Sequence, residues 1–369
     1  MLSKESNTNA NKTNSAEAAK KSSEGKQGVN LDSPGVAKAL SKRILEEIDE
    51  YCVKTYDGGH RSHLGASLIG RECKRYLWYV FRWCLHEKTT GRQQRLFNRG
   101  HREEARFIEW LEGIGFKVWF EDRETNPLYY CVEDDTYYLK SEVFKDEGGI
   151  LANLAVEVKR DDLAYSAHIA KAKAQGIEFP QYRISDVMGH FGGSLDGIAI
   201  LPERYGIEEP VLLEFKTNGT GAGFNKLADD GMPIAKPEHF AQTSTYGKKY
   251  NFRYCVYLNI NKNDDSLHVE VVKLNHGLGE QMIMKAEQII MSQTPPARLS
   301  DNPTFHKCGY CHLKDICHKG AVVEVNCRSC AFARPVENAE WFCEVHNGNI
   351  PKEFIPNACP SYKAITQNV

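Results

Sequence analysis

The chain has 369 residues, of which 41% are hydrophobic and 10% aromatic, so it is long enough to bury a substantial core. Its 47 basic and 49 acidic residues give a formal charge of -2, which excludes a global positive field for a nucleic-acid partner. No stretch approaches the roughly 20 apolar residues of a membrane-spanning helix, and no signal peptide is found, so we expect a cytoplasmic protein without a membrane partner.

The first 33 residues are rich in Ser, Asn, Lys, Glu and Ala and contain almost no large apolar side chains, which predicts a disordered tail. A helix is predicted around 36–53, where Ile44, Leu45 and Ile48 are separated by charged residues. Ser67 is predicted to cap a second helix, which carries the aromatic run that follows Cys73.

A local basic and aromatic segment extends from Arg71 to Arg106. Ten Lys or Arg residues stand there against four Glu residues, with aromatic residues at positions 76, 78, 79, 81 and 83. This composition is typical of a groove that follows phosphates and stacks bases. It is equally typical of a solvated helix face above a core stripe, so both interpretations stay open.

The segment from Arg99 to Gly113 is predicted to be a helix that stops at Gly113. His101 and Glu104 precede the apolar residues at 108 and 111 by three- and four-residue steps, so both are expected to point toward the buried face. A helix-start Glu that is favoured by the macrodipole is the alternative interpretation of Glu104.

Residues 117–200 are predicted to be mostly strands, with one helix near 164–174. GGSLDGIAIL and VLLEFKT are predicted to form two strands joined by a short turn, and a helix follows over 237–250. YCVYLNI and LHVEVVKL form the next predicted strand pair. An amphipathic helix over 279–291 then ends before TPPAR, where two prolines stop it.

Glu214 and Lys216 are two residues apart in VLLEFKT, so they share one face of a strand. Asp196 lies in the preceding strand, and pairing of the two strands would bring its carboxylate beside Glu214. Two neighbouring carboxylates repel each other unless a hard cation lies between them, and Mg²⁺ or Mn²⁺ suits that position. Such an ion can activate water at a phosphate, while Lys216 stabilises developing negative charge.

A second ExK triplet, Glu157 and Lys159 in LAVEVKR, shows that this spacing alone is weak evidence. The triplet at Glu214 is preferred because GGSLDG precedes it at hairpin distance and a suitable helix follows it. On that helix Gln242 and Tyr246 lie four residues apart on one face, with a histidine at 239 on the same side.

In this order, Asp196, Glu214, Lys216, Gln242 and Tyr246 resemble the RecB-type branch of the PD-(D/E)XK nuclease superfamily, in which an LDG strand, an ExK strand and a QxxxY helix follow one another. The resemblance covers residues 60–320 or so. It implies an α/β fold with a restriction-endonuclease-like central mixed sheet flanked by helices, and divalent-metal-dependent cleavage of DNA.

The resemblance also implies an acidic residue or a histidine from an early helix. NRGHREEARFIEWL offers Glu104 and His101, and its spacing is similar to the acidic version in phage-type recombination exonucleases. Glu104 is therefore preferred as a metal-side carboxylate, with His101 as the alternative.

Cysteine usage favours metal ligation, because seven of the twelve cysteines lie between 308 and 359 in a chain without a secretion signal. Cys308, Cys311 and Cys317 form CxxCx5C, which suits one metal centre that lacks a single ligand. Cys73 is the best candidate for the fourth ligand.

This split arrangement is similar to the iron–sulfur nucleases among CRISPR-associated RecB-like exonucleases and AddB-type helicase-nucleases. The similarity implies that Cys73, Cys308, Cys311 and Cys317 ligate a [4Fe–4S] cluster with a structural role. Zn²⁺ remains the competing metal, since four cysteines suit both.

A second group, Cys327, Cys330, Cys343 and Cys359, begins with a CxxC knuckle and predicts a separate Cys₄ zinc site, with His346 as a possible replacement ligand. The surrounding module of forty or so residues is expected not to fold alone, so metal binding and folding are expected to be coupled.

The predicted organisation is a tail (1–33), a nuclease domain that includes the Cys73 segment (34–300), an iron–sulfur cysteine segment (301–320) and a zinc module (321–369). The predicted function is a Mg²⁺- or Mn²⁺-dependent deoxyribonuclease, an exonuclease rather than an endonuclease, in DNA recombination, repair or phage DNA metabolism. Its partners would be single-stranded DNA or duplex ends and a helicase or recombination protein. The alternatives are a catalytically silent DNA-binding or assembly protein, and an adaptor whose zinc module recruits partners.

Overall fold

The computed structural model describes residues 34–145, 149–161, 163–219 and 221–365. The predicted disordered tail lies outside these ranges. The described residues form two compact units, one within residues 1–57 and 89–95 and the other within residues 58–88 and 96–369. None of the helices in the described ranges is long and apolar enough to cross a membrane.

The helices and strands follow one another along the chain in an α/β order. The first half contains α1 (Pro34–Tyr56), β1 (Leu64–Gly65), α2 (Ala66–Ile69), α3 (Lys74–Phe81), α4 (Gly91–Gly113), β2 (Lys117–Trp119), β3 (Leu128–Cys131), β4 (Thr136–Leu139), α5 (Lys140–Val143), α6 (Leu151–Leu154), β5 (Ala155–Glu157), α7 (Tyr165–Ala174), β6 (Arg183–Asp186), β7 (Phe191–Ser194) and β8 (Gly197–Ile200). The second half contains β9 (Val211–Asn218), α8 (Ala222–Asp230), α9 (Met232–Ala235), α10 (Pro237–Tyr250), β10 (Tyr254–Asn261), β11 (Leu267–Lys273), α11 (His276–Met291), α12 (His306–Gly309), α13 (Lys314–Lys319), β12 (Ala333–Pro335), β13 (Trp341–Cys343) and β14 (Gly348–Asn349).

A five-stranded sheet in the order β11-β10-β9-β8-β2 lies at the centre of the larger unit. β9 and β10 are parallel, and the other neighbours are antiparallel. A parallel pair needs a crossover connection, and α8, α9 and α10 supply it. The predicted mixed sheet flanked by helices is therefore confirmed at the level of fold class. Three smaller sheets have the orders β1-β7-β6, β4-β3-β5 and β12-β13-β14.

The central sheet buries different residues on its two faces, because successive side chains of a strand alternate. On one face Phe215 of β9 stacks on Phe107 of α4, with 5.0 Å between ring centroids. On the other face Leu212 of β9 and Tyr246 of α10 belong to the larger core. β9 is thus covered by helices on both sides.

α10 lies unusually close to its neighbours because glycines face it. A Cβ at Gly70 would lie 2.6 Å from the Cα of Glu238, and a Cβ at Gly279 of α11 would collide with the carbonyl oxygen of Ser244. A side chain at either position would push α10 away. These two glycines therefore help to fix the helix that was predicted to face the site.

The chain after residue 321 packs on the same core as α3. Trp341 is 1% exposed, and the guanidinium carbons of Arg82 and Arg328 lie 5.0 and 4.7 Å from its ring centroid. Arg328 Nη1 donates to the carbonyl oxygen of Ser62 at 2.9 Å, and Arg82 Nη1 donates to that of Ala333 at 3.1 Å. The cysteine-rich C-terminal segment is thus joined to the larger unit by buried arginine–tryptophan contacts.

The prediction that Ser67 caps the aromatic helix is wrong. Ser67 lies in α2, and α3 begins only at Lys74, after a break over residues 70–73. Its N-cap is Cys73, whose sulfur accepts a hydrogen bond from the backbone N–H of Tyr76 at 3.4 Å. The N-cap is therefore a residue that was predicted to be a metal ligand.

The aromatic residues of α3 are core residues and are not available to stack bases. They are between 0 and 9% exposed, and the set is Tyr76, Trp78, Tyr79 and Phe81. Of the two interpretations of the basic and aromatic segment, the structure therefore favours the core stripe.

Candidate active site and cysteine-lined cavities

Asp196 occupies the two-residue gap between β7 and β8, where the GGSLDG segment passes from one sheet to another. Its Oδ2 accepts a hydrogen bond from the backbone N–H of Phe215 at 2.6 Å. This bond ties the gap to β9, because Phe215 lies between Glu214 and Lys216. The carboxylate that sequence reasoning assigned to the preceding strand is thus held at the ExK strand.

Glu214 and Lys216 point to the face of β9 that is opposite to Phe215. Glu214 is 0% exposed, and Lys216 Nζ donates a hydrogen bond to its Oε1. Its other oxygen, Oε2, is buried without a hydrogen-bond partner among the described residues. Asp196, Glu214 and Lys216 are called the acidic trio below.

Electrostatics within the acidic trio favour a bound cation. Burial, followed by the charge of Glu214, raises the pKa of Asp196, and burial also raises the pKa of Glu214. Burial alone would lower the pKa of Lys216, but the neighbouring carboxylates Glu214 and Asp196 raise it, so its ammonium group stays protonated. The single positive charge of Lys216 is therefore paired with two carboxyl groups, Asp196 and Glu214, and both of these lose solvation through burial.

Glu104 of α4 is close enough to the acidic trio to raise the pKa of Asp196 further. It is half-buried, and its Oε2 accepts a weak hydrogen bond from Gln181 Nε2 at 3.4 Å. His101 is exposed and lies beside Glu104, with 3.2 Å between Nδ1 and Oε1. The hydrogen bond to Glu104 raises the pKa of His101.

The expectation that both residues point toward the buried face of α4 is wrong for His101. The buried carboxylate of this helix is Glu103, which is 6% exposed and accepts a hydrogen bond from Arg106 at 2.7 Å. Sequence reasoning did not single out Glu103. Glu104 occupies the edge of the buried face, which directs it toward the trio rather than into the core.

Gln242 and Tyr246 are both buried on α10, as their four-residue spacing predicted for one shared face. Gln242 Nε2 lies 3.3 Å from Tyr246 Oη. Burial, followed by the charge of Glu214, raises the pKa of Tyr246, so its hydroxyl stays protonated beside the trio. The QxxxY helix and the ExK strand are thus brought together.

Two residues near the site, Tyr257 and Asn259 of β10, were missed by sequence reasoning. In the parallel pair, Tyr257 is the register partner of Glu214 and Asn259 is the partner of Lys216. Tyr257 Oη lies 2.9 Å from Nδ1 of His239. Burial, followed by the charge of Lys216, lowers the pKa of His239 to about 3. The alternation of YCVYLNI could have placed both residues on the face of the trio.

The first cysteine group lines one cavity of about 410 Å³, and its members are Cys73, Cys308, Cys311 and Cys317. Burial, followed by the neighbouring Cys73, raises the pKa of Cys308. Basic side chains also line the cavity, including Arg71, Arg298 and Lys314. The helix N-cap at Cys73 is therefore brought to the CxxCx5C segment across more than two hundred residues of chain.

The second cysteine group lines a separate cavity of about 330 Å³, together with His346, and its members are Cys327, Cys330, Cys343 and Cys359. Burial, followed by the charge of the neighbouring cysteines, raises the pKa of Cys327 to about 11. The four cysteines belong to one cavity although they span more than thirty residues.

As the side chains are placed, the described ranges contain no group of three or more His, Cys, Asp or Glu residues arranged to hold a metal ion. The donor chemistry nevertheless fits the predicted metals. Glu214 has an unpartnered buried oxygen beside a second carboxylate, and hard cations prefer oxygen ligands. Four sulfurs at each of two cavities suit Zn²⁺ or an iron–sulfur cluster.

No family model and no curated protein matches this chain. The chain is similar to the crystal structure of SSO0001, with 14% identity, coverage of 74% of this chain and 96% of that chain, and a TM-score of 0.35. It is also similar to an alkaline exonuclease, LHK-Exo from Laribacter hongkongensis, with 13% identity, coverage of 66% and 90%, and a TM-score of 0.30. Similarity at this level transfers no activity to the chain.

Proposed function

We propose that this protein is a divalent-metal-dependent DNA nuclease whose reactive centre is the acidic trio. The observation that carries the proposal is the unpartnered oxygen of Glu214, which is buried beside Asp196, a second carboxylate with a raised pKa. Leaving a buried carboxylate oxygen without a partner costs about 1–3 kcal/mol or more. A hard cation at this position would remove that cost.

Asp196 and Glu214, with Glu104 from α4, would hold a Mg²⁺ or Mn²⁺ ion. When bound, the ion would supply an activated water and would neutralise charge on a scissile phosphate. Lys216 stays protonated, so its Nζ can orient the attacking water or stabilise charge that develops on the phosphate. Gln242 and Tyr246 are buried beside the trio and are bonded to each other, so we assign them the role of orienting the reactive centre.

A cleavage assay on labelled single- and double-stranded DNA with Mg²⁺ or Mn²⁺ tests the proposal. Glu214→Gln and Lys216→Met should each lower the cleavage rate by at least ~100-fold, which is the scale expected when a metal ligand or an electrostatic stabiliser is removed. The matched controls are Glu157→Gln and Lys159→Met, which change the other ExK triplet. Both of its residues are exposed, so these variants should retain full activity.

If wild type and variants all fail to cleave every DNA form but still bind DNA, the nuclease hypothesis is wrong. The alternative, a catalytically silent DNA-binding protein, would then be favoured. Exonuclease activity is the finer proposal, and it follows the resemblance of the Glu104 segment to phage-type recombination exonucleases. Linear DNA should then be degraded while covalently closed circular DNA survives. Cleavage of closed circles would instead make the enzyme an endonuclease.

The first cysteine group is proposed to hold a [4Fe–4S] cluster, and the second is proposed to hold Zn²⁺. Support comes from the convergence of four cysteines on each cavity. Protein purified without oxygen should be brown and should contain iron, sulfide and zinc. Colourless protein with two zinc equivalents would assign Zn²⁺ to both groups.

A further inference from the structure

Three side chains form a hydrogen-bonded chain beside the acidic trio, and the proposed function does not use them. Asn259 Nδ2 donates to Tyr257 Oη at 2.9 Å, and Tyr257 Oη lies 2.9 Å from His239 Nδ1. Tyr257 and Asn259 are the register partners of Glu214 and Lys216, so their side chains project from the same face of the sheet. Tyr257 and Asn259 therefore lie one strand away from Glu214 and Lys216, on the same face of the sheet.

The order of donors in this hydrogen-bonded series bears on the tautomer of His239. Because Asn259 supplies the hydrogen of the first bond, Tyr257 Oη accepts there and can donate its own hydrogen to His239 Nδ1. Nδ1 can accept only when the ring is neutral and its proton is on Nε2. With Asn259 Nδ2 as the donor, the order of hydrogen bonds favours the Nε2–H tautomer; if Asn259 Oδ1, which has no partner among the described residues, accepted from Tyr257 instead, the order would be reversed and Nδ1 would carry the proton.

His239 Nε2 is open to a ligand. Nε2 makes no hydrogen bond among the described residues. It is absent from the set of fully buried atoms without a partner, so it is accessible to solvent. His239 also lies on the same side of α10 as Gln242, which faces the trio. Lys216 is near enough to influence the ring electrostatically. The ring of His239 is therefore near the trio, and Nε2 is the ring nitrogen that remains for a ligand.

We propose that Asn259 and Tyr257 are positioning residues that hold His239 as the Nε2–H tautomer, and that this N–H donates a hydrogen bond to a phosphate oxygen of the DNA strand. The identity of the acceptor rests on the proposed function. A neutral donor adds a directed contact without placing a second positive charge beside Lys216. The opposite tautomer would turn a lone pair toward the phosphate oxygen and would repel it.

The tautomer can be measured without DNA, metal or activity. In full-length protein with ¹⁵N-labelled histidines, the ring signal that disappears in His239→Asn belongs to His239. At pH 7 this signal should show a protonated Nε2 and an unprotonated Nδ1. Tyr257→Phe should give a mixture of tautomers, whereas Tyr130→Phe, which removes a hydroxyl bound to Asp135 in a different sheet from β10, should leave the signal unchanged. A protonated Nδ1 in wild type would overturn the proposal.

The phosphate contact is tested by two substitutions that differ in the atom they retain. Glutamine can place an amide N–H near the position of Nε2, whereas asparagine reaches only the position of Nδ1. His239→Asn should lower kcat/KM on DNA by about 10- to 100-fold, the scale of one hydrogen bond to a charged group, and His239→Gln should recover at least ~tenfold of that loss. Tyr257→Phe should fall between wild type and His239→Asn.

Each outcome separates the two proposals. Wild-type protein that cleaves DNA while His239→Asn is equally active, or while the Gln and Asn variants are equally impaired, overturns the phosphate contact and leaves the nuclease intact. Wild-type protein that neither binds nor cleaves DNA overturns the nuclease together with the phosphate contact. The expected tautomer would then show only that the positioning residues act on His239.

Discussion

Replacing Gly193 with alanine should displace Tyr246 and weaken the fold at the site. A Cβ at Gly193 of β7 would lie 2.5 Å from Tyr246 Oη, 3.1 Å from its Cε1 and 3.0 Å from the Cβ of Ala66. Tyr246 is 1% exposed, so its ring has no room to move toward solvent. Overpacking of this kind costs about 1–3 kcal/mol, which should appear as a lower urea midpoint in equilibrium unfolding. Cleavage should fall as well, because Tyr246 adjoins Gln242.

A double-mutant cycle attributes the cost to this one contact. Tyr246→Phe removes the hydroxyl that would collide with the new methyl group, so Gly193→Ala should cost at least ~1 kcal/mol less in the Phe background than in wild type. Gly113→Ala is the matched control, since no atom lies within 4 Å of its added Cβ, and it should be neutral or stabilising. Additive costs, or a Gly193→Ala variant as stable as wild type, would refute the reasoning.

Three further predictions concern the core and the second cysteine group. Cys343→Ser should lower the zinc content of purified protein by about one equivalent per chain, whereas Cys131→Ser, a buried cysteine outside both groups, should leave it unchanged. Trp341→Ala should lower the free energy of unfolding by about 3–5 kcal/mol, measured in urea, while exposed Trp119→Ala should have little effect. Burial lowers the pKa of His190 from 6.5 to about 4. Between pH 6.5 and pH 4, His190 is therefore protonated in the unfolded chain but stays neutral in the folded chain. Stability should therefore fall as the pH drops from 6.5 to 4, and this loss should be smaller in His190→Gln; equal pH dependence would contradict the assignment.

Local signals in the sequence located the elements that carry the site. The helix predicted over 237–250 is found at Pro237–Tyr250, because a proline at its first turn and an asparagine in the left-handed conformation at its end mark both boundaries. The strand pair predicted from YCVYLNI and LHVEVVKL is found as β10 and β11. Alternation also put Glu214 and Lys216 on one face. Each of these predictions depends on neighbouring residues only.

The apolar residues Phe107, Ile108 and Leu111 do not by themselves show which side of α4 is buried most deeply, and the prediction for His101 relied on its seven-residue step to Ile108. Ile108 is half-buried, whereas Phe107 is fully buried against Phe215. Four residues before Phe107 lies Glu103, and its burial is offset by the ion pair with Arg106. A shift of one residue turns a helix by roughly 100°, so His101 moved from the expected core face to solvent.

The packing of the C-terminal segment was not predictable from its own composition. The cysteine spacing within residues 321–369 suggested a module whose folding is coupled to metal binding. Trp341 nevertheless belongs to the core that includes Phe81 and Leu212. The contact between Phe81 and Trp341 joins residues more than two hundred positions apart, and no local sequence pattern encodes such a contact.

The two ExK triplets have the same spacing in the sequence but different surroundings in the structure. Glu157 ends β5, a three-residue strand at the edge of its sheet that pairs only with β3, and both Glu157 and Lys159 are exposed. Glu214 lies in β9, which has β8 and β10 on its two sides and helices on both faces. A carboxylate in water keeps its hydration and needs no partner, whereas one buried in a central strand must find a cation or a donor. The surrounding sheet, and not the triplet, therefore creates the need for a cation or a hydrogen-bond donor, and an exposed copy of the motif has no such need.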